Sequence, residues 1–261
     1  MMPEGIQSVW HLALAGLAIL FIGISKAGFG GGIGILVTPV VALVFPPTEA
    51  IGVILPMLMA GDAFSLYHYW GKWEKANVRY LIPGTLAGIV CGIWLVDFLS
   101  DRYLGQAIGV ICIVFVAFQW AREYAGNATE KYQPKQWHGN ICGWFAGVTS
   151  TIAHAAGPVV SIFLLPQRLD KEIFVGTTVL VFAIINWLKL PFFVWKGLIH
   201  SHTLLMDIYF LPLIPLGVWL GVWMNRRLDQ RTFTHIIYVI VFVTGIELVG
   251  GKSLVGQLLA R

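Results

Sequence analysis

The sequence predicts an all-α polytopic membrane protein made of two inverted repeats, each a broken, re-entrant helix hairpin followed by three transmembrane helices, with eight to ten membrane segments in all. Three observations lead there. The 261 residues are 57% hydrophobic and only 11% charged, with a mean hydropathy of +0.78. Soluble domains carry about 25% charged residues, so most of this surface must be solvated by lipid. The apolar residues fall into ten separated runs. Landmarks in the first half of the chain also recur, in order, in the second.

The runs cover about 8–26, 33–45, 49–70, 78–98, 103–121, 139–153, 157–166, 172–195, 203–225 and 232–250. Crossing a hydrocarbon layer of about 30 Å takes about 20 helical residues. The runs 33–45 and 157–166 are too short to cross alone. Each follows a break of small residues, Gly28-Phe29-Gly30-Gly31-Gly32 in the first half and Ala153-His154-Ala155-Ala156-Gly157-Pro158 in the second. They read as the returning arms of helical hairpins. The second returning arm is expected to begin at Gly157-Pro158, because proline at the first helical position loses no hydrogen bond. No Lys or Arg precedes the first apolar run, so the start reads as a membrane helix and not as a secretory leader.

The repeat is the strongest signal. An offset of 124 residues places Gly52, Asp62 and Lys72 on Gly176, Asn186 and Lys196. An offset of 129 places Pro83, Gly88, Gly92 and Trp94 on Pro212, Gly217, Gly221 and Trp223. The units are therefore residues 1–121 and 138–261, joined by the hydrophilic segment 122–137. Charge fixes their orientation. If each hairpin returns the chain to its starting side, one side holds eleven cations (Lys72, Lys75, Arg79, Arg122, Lys131, Lys135, Arg168, Lys171, Arg226, Arg227 and Arg231). The other side holds four (Arg102, Lys196, Lys252 and Arg261). Cytoplasmic loops are the positive ones, so the linker is expected in the cytoplasm and both termini outside, in a cell inner membrane.

Small residues four apart, at Gly88/Gly92, Gly105/Gly109, Gly143/Gly147 and Gly217/Gly221, let helix backbones approach closely and are read as packing. Cys91, Cys112 and Cys142 lie in apolar runs without metal-ligand spacing, so neither a metal nor a cofactor is expected. The net charge of +4 belongs to cytoplasmic loops, so nucleic acid is excluded as a partner. The tryptophans, among them Trp70, Trp73, Trp137, Trp187 and Trp195, fit an interfacial belt.

Ionisable residues inside spans are costly and mark function by default. Lys26 stands at the first break. Asp62 lies mid-helix, with Asn186 at the equivalent position. Lys189 is one turn from Asn186, and His154 sits in the second break. A break also leaves backbone N–H groups bare at the start of the next half-helix, at the positive end of its dipole. Gly30, Gly31, Gly32 and Gly157 allow close approach to them, and such a terminus suits an anion. Two lysines less one aspartate leave a cationic centre. Of the hydroxyls near the breaks (Ser25, Thr149, Ser150, Thr151, Thr177 and Thr178), Ser150 is the first choice as a ligand contact. Asp62 is read as the partner of a lysine or as the carrier of a coupled proton.

This architecture is that of secondary transporters, with the substrate at the repeat interface. The alternatives are a passive anion channel or a transporter of small carboxylates. A hydrolase built on Ser150 and His154 lacks a nucleophile-elbow motif, and no Asp-rich metal motif suggests another enzyme.

Three separated motifs carry a resemblance. Ser25-Lys26-Ala27-Gly28-Phe29-Gly30-Gly31-Gly32-Ile33-Gly34-Ile35-Leu36-Val37-Thr38-Pro39 resembles the glycine-rich first motif of the TauE/SafE membrane permeases. Gly147-Val148-Thr149-Ser150-Thr151-Ile152-Ala153-His154-Ala155-Ala156-Gly157-Pro158 resembles the second motif. Asn186-Trp187-Leu188-Lys189-Leu190-Pro191 resembles the N-x-x-K-x-P that closes the following helix. Here His154-Ala155-Ala156 replaces part of a usually glycine-rich second break. The resemblance implies movement of small sulfur-containing anions, such as sulfite or organosulfonates, driven by ion gradients (protons among them). The expected partners are that anion and the lipid bilayer, with a second copy of the chain left open.

Overall fold

The computed structural model describes residues 16–24, 34–43, 45–125, 133–227 and 230–250. Among them there are helices and no strand. Helix α1 covers residues 16–24. A 3-10 turn, Gly34–Leu36, leads into α2 (Val37–Ala42). There follow α3 (Pro47–His68), α4 (Lys75–Phe98), α5 (Asp101–Ala125), α6 (Gln136–Ala153), α7 (Ala156–Leu164), α8 (Lys171–Trp195), α9 (Ser201–Phe210), α10 (Leu213–Arg227) and α11 (Gln230–Gly250). Among the described residues, four segments are long and apolar enough to cross a membrane: Pro47–His68, Lys75–Phe98, Asp101–Ala121 and Glu172–Trp195. Large apolar side chains such as Phe98, Val114, Trp187 and Trp219 stand on the outer surface, where lipid and not water is their solvent.

The expectations for Lys26, Gly30, Gly31, Gly32, the first apolar residues before 16 and most of the hydrophilic linker fall outside the described residues. Two boundaries differ from expectation. The run 203–225 is not one helix: it is interrupted at Leu211-Pro212. Proline has no N–H and its ring crowds the carbonyl four residues back. Pro83, its sequence counterpart, is accommodated inside α4, so proline at this position permits a break without enforcing one. The second returning arm begins at Ala156, with Ala155 as N-cap. Pro158 is then the third helical residue, still within the turn whose N–H groups have no intrahelical acceptor.

Close backbone contacts locate the helices. An added Cβ on Gly143 would lie 2.1 Å from the Leu81 carbonyl oxygen, and on Gly147 2.4 Å from that of Thr85. On Gly84 it would lie 1.9 Å from the Asn140 oxygen, and on Gly88 2.1 Å from that of Trp144. Thus α4 and α6 run parallel in contact over their length. Helix α7 then folds back. Its far end reaches Gln167, whose Oε1 accepts a 2.8 Å hydrogen bond from Asn77 Nδ2 at the start of α4. Gly139, at the start of α6, meets Tyr80 in the same region. The α6–α7 pair therefore leaves on the side it entered, as a re-entrant hairpin with His154 at its apex.

Other contacts occur in matched pairs. Gly52 of α3 faces the Leu198 carbonyl, 2.0 Å from an added Cβ, while Gly176 of α8 faces the Lys72 carbonyl at 1.8 Å. Together these make α3 and α8 antiparallel. Gly217 of α10 faces the Leu20 carbonyl of α1 at 2.2 Å, and Gly109 of α5 and Gly245 of α11 face each other's carbonyls at 2.6 and 3.0 Å. Gln106 Nε2 donates to the Val249 oxygen and Gln119 Nε2 to the Tyr238 hydroxyl, which runs α5 and α11 antiparallel. Ion pairs stand at both ends of α8: Lys72, just past α3, with Glu172 at 3.0 Å at its start, and Lys196 with Asp97 of α4 at its end.

Candidate functional site

Helix α6 ends because His154 turns into the left-handed region, φ 50°. Its N–H closes on the Ser150 carbonyl, and the N–H of Ala155 closes on Thr149. A residue with a Cβ pays about 1–2 kcal/mol for that conformation, so side-chain contacts must hold it. They do. His154 Nε2 lies 2.9 Å from the Ile51 carbonyl of α3, and Nδ1 lies 3.0 Å from the Lys189 ammonium. The partners fix the tautomer. A carbonyl only accepts, so Nε2 carries the proton; an ammonium only donates, so Nδ1 is bare. His154 is the neutral imidazole in this arrangement.

Lys189 is fully buried, 0% exposed. Its Nζ donates to the Ser150 carbonyl and to Ser150 Oγ, each at 3.0 Å, as well as to His154 Nδ1. Three acceptors match the three protons of the ammonium. The Phe193 ring, one helical turn further along α8, presents its face 5.7 Å away, within the range of a cation–π contact. The charge rests at the C-terminal, negative end of α6. Just past the apex, α7 starts with no side-chain cap. Ala155 N–H is used by Thr149 and Pro158 has none, so Ala156 and Gly157 carry the N–H groups of that terminus that lack an intrahelical acceptor.

One turn before Lys189, Asn186 Nδ2 donates to Asp62 Oδ2 at 2.6 Å, with both residues buried. Residues 124 positions apart thus join α3 to α8. Removal of either partner should destabilise, and a double-mutant cycle on Asp62→Ala and Asn186→Ala should return a coupling of about 1.5–3 kcal/mol, as for hydrogen bonds to charged groups. Chemical denaturation in detergent measures it, and additive losses would mean that the contact carries no energy of its own.

Of the sequence candidates, Ser150, His154 and Lys189 form one cluster, Gly157 stands in the helix start beside it, and Asn186 and Asp62 form a linked pair one turn along α8. The hydroxyls of Thr149, Thr151, Thr177 and Thr178 donate to carbonyls of their own helices, the ordinary fate of helical hydroxyls. The Ile51 carbonyl and Phe193 were not among the expected contacts. Phe193 had a signal, standing four residues after Lys189; a backbone carbonyl has none. A cleft of about 290 Å³ between Pro47, Asp101, Arg102 and Glu247 shares no residue with the cluster.

Searches of the curated proteins and of the solved structures found no match. Residues 15–248 match the family model described as Sulfite exporter TauE/SafE. A match over most of the length, covering the described helices and the cluster they hold, places this chain in the TauE/SafE sulfite exporter family, membrane transporters and not enzymes.

Proposed function

We propose that the chain is a secondary transporter that moves a small sulfur oxyanion or organosulfonate across the cell inner membrane by alternating access. One observation carries the reading: a wholly buried ammonium, Lys189, held by Ser150 and His154 where a re-entrant helix ends and a half-helix begins. A buried charge in a membrane is expensive and is kept where it meets a ligand. Lys189 supplies the positive charge, Ser150 and His154 the polar contacts, and the N–H groups of Ala156 and Gly157 the donors. Asn186, fixed by Asp62, lines the same face of α8 one turn away. Lys26 and Gly30–Gly32 contribute the corresponding half-site from the first break. The full burial of Lys189 fits an occluded transporter better than an open pore, which would keep a water path to the charge.

The inverted-repeat organisation, with units 1–121 and 138–261 and the linker 122–137 in the cytoplasm, belongs to the same proposal. Its support is reciprocity. Gly52 meets the α8 end while its counterpart Gly176 meets the α3 end. Gly88 meets Trp144 while its counterpart Gly217 meets Leu20, and Trp144 follows Leu20 by the same 124 residues as Gly176 follows Gly52. Equivalent helices, α3 with α8 and α5 with α11, meet antiparallel, as opposite orientation requires. A re-entrant α6–α7 hairpin leaves three crossings per unit, the count on which cations concentrate inside.

The test is a ligand screen on purified protein followed by flux. Sulfite or a sulfonate at 100 times its Kd should stabilise the fold by about 2.7 kcal/mol through mass action, and the same anion should be taken up by proteoliposomes. Stabilisation by carboxylates alone would replace the substrate class; no stabilisation and no uptake with any of these anions would end the reading.

A further inference from the structure

Helix α9 carries an aspartate that the anion cluster does not use. Asp207 is 4% exposed, and neither of its carboxylate oxygens has a hydrogen-bond partner among the described residues. Its position is not accidental to the packing. Thr203, Asp207, Phe210 and Ile214 are buried, while Leu204, Leu205, Ile208 and Tyr209 are exposed. The buried residues recur at helical spacing, so Asp207 belongs to the inward stripe and not to the lipid face. That stripe packs on α3, and beside Gly16 of α1 through Phe210.

The start of α9 is exposed at His200 and Ser201. Gly197, φ 69°, turns the chain out of α8, and exposed His200 caps α9 reciprocally. His200 Nδ1 accepts from the Thr203 N–H, and Thr203 Oγ1 accepts from the His200 N–H. His200, Thr203 and Asp207 are thus spaced along one side of the helix from its mouth inward. Asp207 lies about 9 Å along the helix from Ser201, at 1.5 Å per residue.

The neighbouring charges do not neutralise it. Helix α3 contributes Glu49, Asp62, Tyr67 and His68, and the described part of α1 contributes no titratable group. Asp62 holds Asn186, and Lys196, on the turn before α9, is bound to Asp97. His200 sits at the mouth; His202 and Tyr209 are the other titratable groups of α9. An ionised carboxylate buried without a donor or a cation costs several kcal/mol, whereas the protonated acid is uncharged.

We propose that Asp207 is a proton-binding site, loaded from the His200 end of α9, whose protonation couples proton movement to transport. The proposal rests on the transporter reading and adds the carrier of the coupling ion, at a residue separate from the Ser150–Lys189–His154 cluster. A proton from bulk water adds to one carboxylate oxygen, and the same O–H bond breaks on release.

Two measurements decide it. In infrared difference spectra between high and low pH, purified protein should show the C=O stretch of a protonated carboxyl that is missing in Asp207→Asn and returns, displaced, in Asp207→Glu. This readout needs no substrate, so it stands or falls apart from the anion assignment. In proteoliposomes, Asp207→Asn should lose sulfite accumulation driven by a pH gradient by about ten-fold or more, an ordinary coupling magnitude, while sulfite/sulfite exchange persists and Asp207→Glu restores the drive. An unchanged carboxyl band in Asp207→Asn, full gradient-driven accumulation in that variant, or accumulation driven by sodium and indifferent to pH would overturn the proposal.

Discussion

Lys189→Met is expected to fold with a melting temperature within a few degrees of the parent protein, yet to lose sulfite- or sulfonate-induced stabilisation. The two halves of that expectation have different origins. Methionine has nearly the length of lysine and no charge, so the ammonium's desolvation penalty, several kcal/mol in a buried setting, disappears. Against this, Ser150 Oγ and His154 Nδ1 lose their donor. The hydroxyl can turn to a carbonyl of its own helix, and the Ser150 carbonyl keeps the His154 N–H. One buried acceptor is then left, at about 1–3 kcal/mol. The opposing contributions are of the same size and nearly cancel. Binding has no such compensation: loss of a charge-assisted contact, about 1.5–3 kcal/mol, weakens Kd by about ten- to a hundred-fold. Calorimetry and thermal shift with and without the anion measure both. Parental affinity in Lys189→Met would reduce the lysine to a cap on the C-terminus of α6.

The polar side chains of this candidate cluster were legible in the sequence, but the Ile51 carbonyl, the Phe193 ring and the pairing of the polar groups were not. Lys189, Asp62 and His154 declare themselves because each is a polar group in an apolar run, and that cost is local to the residue. Which of them touch depends on how α3, α6 and α8 cross, and no spacing along the chain records that. Hence Lys189 meeting Ser150 and His154, and Asp62 meeting Asn186, emerge only from the packed helices. Gly88, Gly92, Gly109, Gly143, Gly147 and Gly217 were better predictors, since a glycine at four-residue spacing has few uses in a membrane helix other than close approach, whereas Gly105 meets only the Pro47 ring at 3.4 Å. Asp207 was hidden by averaging: a run as apolar as 203–225 absorbs one carboxylate without losing its character. A search for single acids within apolar runs would have found it. The break at Pro212 was ambiguous for another reason, because Pro83 shows the same residue tolerated inside a continuous helix.

Gly88→Ala and Gly217→Ala should each destabilise the protein severely and by similar amounts. At Gly88 the new methyl would stand 2.1 Å from the Trp144 carbonyl oxygen; at Gly217 it would stand 2.2 Å from that of Leu20. A carbon normally stays about 3.3 Å or more from such an oxygen, so both pairs of helices must separate by roughly 1 Å. The obstacle is backbone within a helix, which no rotamer change relieves. Overpacking costs about 1–3 kcal/mol where side chains can adjust; here the upper end or beyond is expected. Separation at Gly88 also loosens its neighbours, because Gly84, Gly143 and Gly147 depend on the same α4–α6 approach, and it displaces the helix that presents Ser150 and His154. The calibrating substitution is Gly250→Ala, where nothing lies within 4 Å and a helical alanine is neutral or slightly stabilising. Denaturation midpoints for the three variants make the comparison. If Gly88→Ala behaves like Gly250→Ala, the close approach of α4 and α6 is wrong. If Gly217→Ala is tolerated while Gly88→Ala is not, the two contacts are not equivalents and the reciprocity argument for oppositely oriented halves loses its main support.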